Sequence, residues 1–559
     1  MLGALDLLIE AAQRYAAQAR EQAATAQPQR ARELQIIAEV LDAITQRPPQ
    51  SFREAIQLLW LYAVVAEAKN YGRLDTVLGD LYAADRDSGR LSRDEAAGLC
   101  DSLWQLMAAR QTIFEGRVII GGQGRPNPQQ ADRLALLFIE ATRRHAASEP
   151  QLSLRCYEGM DERLMRAALD CLAAGRTFPI LYNDDVNTAA VAQAFGVTAD
   201  EAVHYVPFGC GEYVLNHRSF GSPNGVINLT KALELVIHDG FDAVSGTHCG
   251  LALPPFATLK NFEQLFGAYA EVVDYYLSAL AQQEMVEYRF CATEASFLFM
   301  SMLYDDCIGR GRGMFDGGVR YLGGTIETYG NNNAANSLVA LKKLLYEQEA
   351  FTPQQLQTML SKNFSEFSAD RALLAAAPKY GNDDDEADAM AVRVHEQVCR
   401  SSAAQAARVG LHSYLVVIVN NHANTILGRA TGASADGRLR GDFLANANNP
   451  APGTDTAGVT ALLNSLVKLN PALHAGAVQN LKLSPQLFST AMAQALIQAY
   501  FAQGGTQLML TVVDRHTLER ALDNPREYQQ LFVRVGGFSM RFVELEPDVQ
   551  REVLSRTLY

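Results

Sequence analysis

The sequence predicts an α/β architecture, a barrel whose loops carry the chemistry, and two observations point there. From about residue 115 short β-type runs alternate with longer helical stretches, the pattern of strands covered by helices. No heptad array, internal repeat or low-complexity tract competes with that reading.

Taken in order, residues 1–46 read as two helices rich in Ala, Gln, Arg and Glu, all good helix formers. Pro28 separates them, and Pro48-Pro49 ends the second. Ser51, with Glu54 three residues on, has the capping-box pattern for the next helix. Phe52, Ala55, Ile56, Leu59 and Ala63 then recur at helical spacing and predict one buried face. The runs 117–120, 152–156, 178–182 and 205–208 read as strands ended by Gly or polar residues. Between them, 129–146, 161–175 and 226–239 read as helices, and 262–290 and 338–377 are strongly helical. A loop-rich segment, 431–449, reads as the boundary between a large body, 1–430, and a C-terminal unit, 431–559. In that unit 507–513 and 531–535 read as strands, 517–522 as a short helix, and 543–558 as a terminal helix.

Composition narrows the function classes. Lys and Arg number 48 against 62 Asp and Glu, a formal charge of −14, so the chain lacks the basic face that nucleic acid requires. Its 48% hydrophobic and 20% charged residues exclude a disordered or fibrous chain. No apolar run approaches the ~18 residues of a membrane span, and the N-terminus does not read as a signal peptide. The eight cysteines include no CxxC pair, which argues against a disulfide scaffold, a structural zinc site or a thioredoxin-like motif. The expectation is a soluble, reduced, cytoplasmic enzyme with no metal.

Two short motifs carry chemistry. In Phe208-Gly209-Cys210-Gly211-Glu212 a cysteine follows a strand, between two glycines that allow a tight bend. Glu212 can bring a carboxylate to the same turn. A cysteine there becomes reactive through a basic partner or a radical one; His204 and His217 flank the loop at a distance. Taken alone, the motif reads more readily as a small buried Cys in a Gly turn, beside an acid that pairs with a Lys or Arg. The second motif is Arg534-Val535-Gly536-Gly537-Phe538-Ser539-Met540-Arg541-Phe542, followed by Gln550, Arg556 and Thr557. Alone it reads as a turn whose glycines supply φ > 0.

Together the motifs resemble those of the glycyl radical enzymes, the family of pyruvate formate-lyase, the diol dehydratases, choline trimethylamine-lyase and the arylacetate decarboxylases. The family's C-terminal segment is Arg-Val-x-Gly-Tyr-x-x-x-Phe; here Phe538 stands where Tyr is usual. Ser51-Phe52-Arg53-Glu54-Ala55, Gly72-Arg73-Leu74-Asp75, Pro378-Lys379-Tyr380-Gly381-Asn382-Asp383 and Ala435-Asp436-Gly437-Arg438 resemble further family segments. The resemblance runs from about residue 48 to the end.

It implies a ten-stranded α/β barrel wrapped by helices, with the Cys and Gly loops meeting in its centre. It implies a pyruvate formate-lyase-like barrel domain over 1–430 and a glycine radical domain over 431–559. Residue by residue, it makes Gly537 the radical carrier, Cys210 the thiyl site and Glu212 the general base, with Arg534 and Phe538 supporting the radical loop. The glycyl radical is then the sole cofactor, raised by a separate radical S-adenosylmethionine activating enzyme, in an anaerobic setting and commonly in a homodimer. Cys210 lies between glycines rather than beside a second cysteine, which disfavours acyl transfer and favours a lyase losing water, amine or sulfite; decarboxylation shares the Cys-x-Glu pattern. Only 50 residues precede Ser51, fewer than family members carry, so part of the usual substrate shell is expected to be replaced. Tyr213, His217, Arg218, Ser222 and Asn224 are the candidates for contacting a small-molecule substrate. Asn224 stands near where dehydratases carry an acid, which argues against ordinary diol dehydration.

Other features read as structural. The run 382–388 lacks the Gly and terminal Glu of a calcium loop, and Asn331 to Asn333 read as a turn and cap. Glu327 is a candidate second carboxylate but reads as a surface or salt-bridged acid. Residues 121–124 match no nucleotide loop, and the other seven cysteines read as small core residues. Two readings from other classes stand beside the lyase: a carboxylate hydrolase using Glu212 and another acid, and a non-catalytic binding relative.

Overall fold

The computed structural model describes every residue except Phe114 and Leu487. Ten strands form two sheets. The six-stranded sheet runs, in spatial order, Gly72–Arg73, Arg117–Gly121, Gln151–Cys156, Ile180–Asn183, Gln507–Val512 and Asn480–Leu483. Its first four strands are parallel, and Gln507–Val512 joins Ile180–Asn183 antiparallel. The four-stranded sheet, His474–Ala477, Tyr414–Ile418, Gly324–Tyr329 and Pro223–Asn228, is parallel throughout. The segment 474–483 links the two: its start pairs with Tyr414–Ile418 and its end with Gln507–Val512. Helices cover these strands, including Pro128–Arg144, Glu162–Ala173, Phe262–Glu294 and Asp385–Val409. Among the described residues no helix is long and apolar enough to cross a membrane.

Most sequence expectations for the first sheet hold within a few residues. The terminal helices Leu2–Ala23 and Pro28–Gln46 are separated as Pro28 predicts. Ser51 caps Phe52–Val65 by accepting the Glu54 N–H at 3.2 Å. Only half of the expected capping box forms, because the Glu54 carboxylate turns to Arg47 and the Gln50 N–H instead. The expected helix 338–377 is broken: Asn331–Ala340 widens into a π-helical turn at Leu341–Glu347, and Pro353 starts a new helix, Pro353–Ser361.

Asn331 to Asn333, read as a turn and cap, form the buried first turn of Asn331–Ala340, with Gly330 at the cap position. The Asn332 side-chain amide reaches the Asn448 and Asn449 carbonyls, and Asn333 bonds Asp436 and the Ala445 N–H. They pin the segment 431–449, which is largely buried. Arg438 stiffens the same segment from inside by donating to the Gly428, Gly432 and Asp442 carbonyls. The acidic run 382–388 is spent on structure: Asp384 caps Asp385–Val409, and Asp383 and Asp388 meet Lys468.

Candidate active site

Tyr205–Phe208 and Glu212–Leu215 form a tight antiparallel hairpin, with Phe208 opposite Glu212. Gly209, Cys210 and Gly211 are its tip. Both glycines have left-handed backbones, φ +49° and +129°, which L side chains rarely adopt. Polar contacts fix the tip from behind. Arg117 Nη2 donates to the Gly209 carbonyl at 2.7 Å, and the Gly209 N–H reaches Asn70 Oδ1 at 3.4 Å. The Gly211 N–H donates to Glu212 Oε2 at 2.8 Å. Cys210 and Glu212 are buried, 4% and 3% exposed.

The second loop is the tip of another hairpin, Phe532–Arg534 with Ser539–Arg541, closed by the Val535 N–H donating to the Phe538 carbonyl. Gly537 is driven against the cysteine tip. A Cβ on Gly537 would stand 2.6 Å from Cys210 Cα and closer still to Cys210 Cβ and its carbonyl oxygen. A Cβ on Gly536 would overlap the Asn420 carbonyl. Neither glycine has positive φ, so the pair serves close approach and not the turn conformation its sequence suggests. Residues 327 apart in sequence thus meet through backbone contact.

The loop is held on all sides. The Gly537 N–H donates to the Asn420 carbonyl at 3.0 Å, and Arg534 Nη1 donates to the Gly537 carbonyl at 3.3 Å. Arg534 Nη2 anchors to the Thr177 carbonyl at 2.6 Å, and its guanidinium stacks on Phe178. Arg556 Nη1 donates to the Arg534 carbonyl at 2.7 Å and Nη2 to that of Val535, while buried Glu552 balances its charge. Asn446 adds a bond to the Val535 carbonyl at 2.8 Å. Phe538 is buried, its ring 6.4 Å from that of His422.

The electrostatics favour hydrogen-atom over thiolate chemistry. Burial pushes the Cys210 thiol well above its ordinary pKa, and the Glu212 and Glu327 charges push it further. The S–H bond is therefore intact, as a hydrogen-atom donor requires, whereas a nucleophilic cysteine needs a lowered pKa. Glu212 is pushed up to about 7, first by burial and then by Glu327, which suits a group that must both take and return a proton near neutrality.

Glu327 corrects the sequence reading. It is neither exposed nor salt-bridged: it is 4% exposed, and its Oε2 accepts from the Tyr329 hydroxyl at 2.7 Å and from Asn421 at 3.4 Å. Burial raises its pKa too. Its strand, Gly324–Tyr329, alternates Thr325, Glu327 and Tyr329 on one face, a signal the sequence did carry. Arg117, Asn70 and Asn420 carried no such pattern.

The five substrate-contact candidates separate. Tyr213 points away from Glu212 into an aromatic cluster with Tyr182 and Tyr205, as strand alternation requires. His217 lies exposed at the far end of the hairpin, with Nδ1 2.6 Å from the Leu303 carbonyl, and Arg218 pairs with Asp305 at 3.3 Å. The Ser222 N–H faces the Tyr288 hydroxyl at 3.5 Å. Asn224 lies on Pro223–Asn228, two residues before Val226, which stands opposite Glu327 in register. Of the five, Asn224 alone lies on the strand beside Glu327, at a bulge where the register skips it between Pro223 and Gly225.

A buried cysteine whose backbone and Cβ press against a glycine with no room for a side chain, inside an α/β barrel, defines a glycyl radical enzyme. Residues 1–425 match the pyruvate formate lyase-like family and residues 444–543 the glycine radical domain, and the chain belongs to that family. The match begins at residue 1 rather than near 48, so the N-terminal helices are part of it. A probable dehydratase of Escherichia coli, YbiW, is 29% identical, with 100% of this chain and 74% of the relative covered. The trans-4-hydroxy-L-proline dehydratase of Clostridioides difficile is 26% identical, with 99% and 73% covered. The glycerol-bound B12-independent glycerol dehydratase of Clostridium butyricum superposes with a TM-score of 0.92 at 28% identity, over 99% of this chain and 73% of that one. The fold is the glycyl radical α/β barrel, and the enzyme is a glycyl radical lyase. Its cofactor is an organic radical on its own backbone, raised by a radical S-adenosylmethionine activating enzyme.

Proposed function

We propose that the chain eliminates a leaving group from a small polar substrate, with Gly537 storing the radical, Cys210 relaying it and Glu212 moving the proton. The contact between Gly537 and Cys210 carries this reading. The Gly537 radical takes the hydrogen atom of the Cys210 S–H, leaving a thiyl. The thiyl takes a hydrogen from the hydroxyl-bearing carbon of the substrate. Glu212 accepts the hydroxyl proton while the group on the adjacent carbon departs with its bonding pair. The product radical recovers a hydrogen from Cys210, and the thiyl regains one from Gly537. The protein holds reacting atoms in place and excludes water.

The division at residue 430 belongs to this reading, with 431–559 delivering Gly537 while also contributing the last three barrel strands. We place the enzyme as a homodimer in a reducing, anaerobic cytoplasm. Eight unpaired cysteines support the compartment, and the exposed apolar side chains Val286, Phe290, Phe297 and Ile308 support a covered face.

Anaerobic activation followed by substrate screening tests the reaction. Cys210→Ala keeps the radical signal and loses all turnover. A Cys210→Ala enzyme that still converts substrate overturns the scheme.

A further inference from the structure

The scheme above gives Glu327 no task, yet it shares the reaction centre. Asn421, which binds its Oε2, follows Asn420, whose carbonyl seats the Gly537 N–H. The carboxyl is thus tethered to the turn that positions the radical loop. Among the described residues, the hydrogen-bond partners of the Glu212 and Glu327 carboxyls are neutral: backbone N–H for the first, Tyr329 and Asn421 for the second. Arg117 is the cation acting on Glu212, and it is fully buried behind the loop. Its Nη1 is spent on Ser153 and Tyr182, and its Nη2 on Gln151 and the Gly209 carbonyl. On the other side, Val226 stands opposite Glu327 and is 43% exposed, so space beside the Glu327 carboxyl is open.

A substrate entering there meets two buried acidic side chains and, among the described residues, no cation hydrogen-bonded to either. We propose that Glu212 and Glu327 form a cation-selecting pair and that the substrate is an amino alcohol, with an ammonium group on the carbon next to the hydroxyl-bearing one. This rests on the reading of Cys210 and Glu212 as the reaction centre. An ammonium supplies positive charge and N–H donors and draws both acids toward their ionised form, whereas a sulfonate or carboxylate would add negative charge where burial already opposes the ionisation of Glu212 and Glu327. The chemistry balances. The ammonium leaves as ammonia with the C–N bonding pair, Glu212 takes the hydroxyl proton and passes it to the ammonia, and the products are an aldehyde or ketone and ammonium.

Isothermal titration calorimetry on the full, unactivated chain tests this with ethanolamine, ethylene glycol and isethionate. The three share a hydroxyethyl frame and differ in charge. Ethanolamine is expected to bind at least tenfold more tightly than ethylene glycol, and isethionate more weakly than either. Glu327→Gln is expected to weaken ethanolamine about tenfold and leave ethylene glycol within about twofold; if that variant does not fold, the wild-type ranking decides. Isethionate binding as tightly as ethanolamine, or no difference among the three, overturns the proposal. No radical is present in this assay, so a failure of the radical scheme leaves the ranking untouched and is detected separately by turnover.

Discussion

Replacing Glu212 with Gln separates two consequences of burying this carboxyl. Its pKa rises from the ordinary 4.5 to about 7, so the folded protein resists ionising it by about 3 kcal/mol. Below pH 4.5 both folded and unfolded chains hold the proton, and the group does not affect stability. Between 4.5 and 7 the folded chain keeps a proton that the unfolded chain has lost, so stability falls as pH rises. Above 7 the full penalty applies. Glu212→Gln keeps the shape and an acceptor for the Gly211 N–H but cannot ionise. In urea unfolding of the unactivated protein, it should gain about 3 kcal/mol over wild type at pH 8.5 and less than about 1 kcal/mol at pH 5. Activity should move the other way. In the proposed role Glu212 must be ionised to take a proton, so wild-type kcat/KM should rise about tenfold per pH step up to about 7 and then level. The variant should be slow and flat. A Gln enzyme no more stable than wild type at pH 8.5, or one with the wild-type pH profile, would refute the argument that burial holds this proton.

Three further outcomes follow from the same structure. Gly536→Ala leaves Gly537, the proposed radical carrier, intact but collides with the Asn420 carbonyl; turnover should fall at least about 100-fold from misplacement alone, read by single-turnover kinetics on protein with matched spin content. Arg556→Ala removes the donors to the Arg534 and Val535 carbonyls and strands buried Glu552. It should destabilise by about 3 kcal/mol and shorten the radical's lifetime in trace oxygen, with Arg556→Lys intermediate. Glu284 is buried against Tyr288 and pushed up to about 8 by burial; Glu284→Gln should raise stability by about 5 kcal/mol at pH 9, change it by less than about 1 kcal/mol at pH 4.5 and leave turnover alone.

The first sheet was readable because its strands are short apolar runs between amphipathic helices. The second sheet was not read. Pro223–Asn228 carries Pro, Gly and two Asn, and Gly324–Tyr329 carries Thr and Glu, because their inner faces serve the reaction centre and not a dry core. That same polarity is why Glu327 read as a surface acid. Cys210, Glu212 and Gly537 stood out because their neighbours are glycines, whose need is set by backbone geometry and close approach. Their supports did not, because Arg117, Asn420 and Arg556 act through bonds to distant backbone atoms that spacing does not encode. Tyr213 and His217 are near Glu212 in sequence, and the hairpin turns or carries both away from it. In a hairpin, one step turns a side chain to the opposite face and five steps carry it beyond reach.

The most direct measurement is electron paramagnetic resonance of anaerobically purified protein after treatment with a radical S-adenosylmethionine activating enzyme. The central claim, that Gly537 stores a radical and exchanges hydrogen with Cys210, predicts a doublet near the free-electron g value that disappears in Gly537→Ala. In D2O the doublet should collapse in wild type and persist in Cys210→Ala. A radical that survives Gly537→Ala, or a doublet that collapses in D2O equally with and without Cys210, would contradict it.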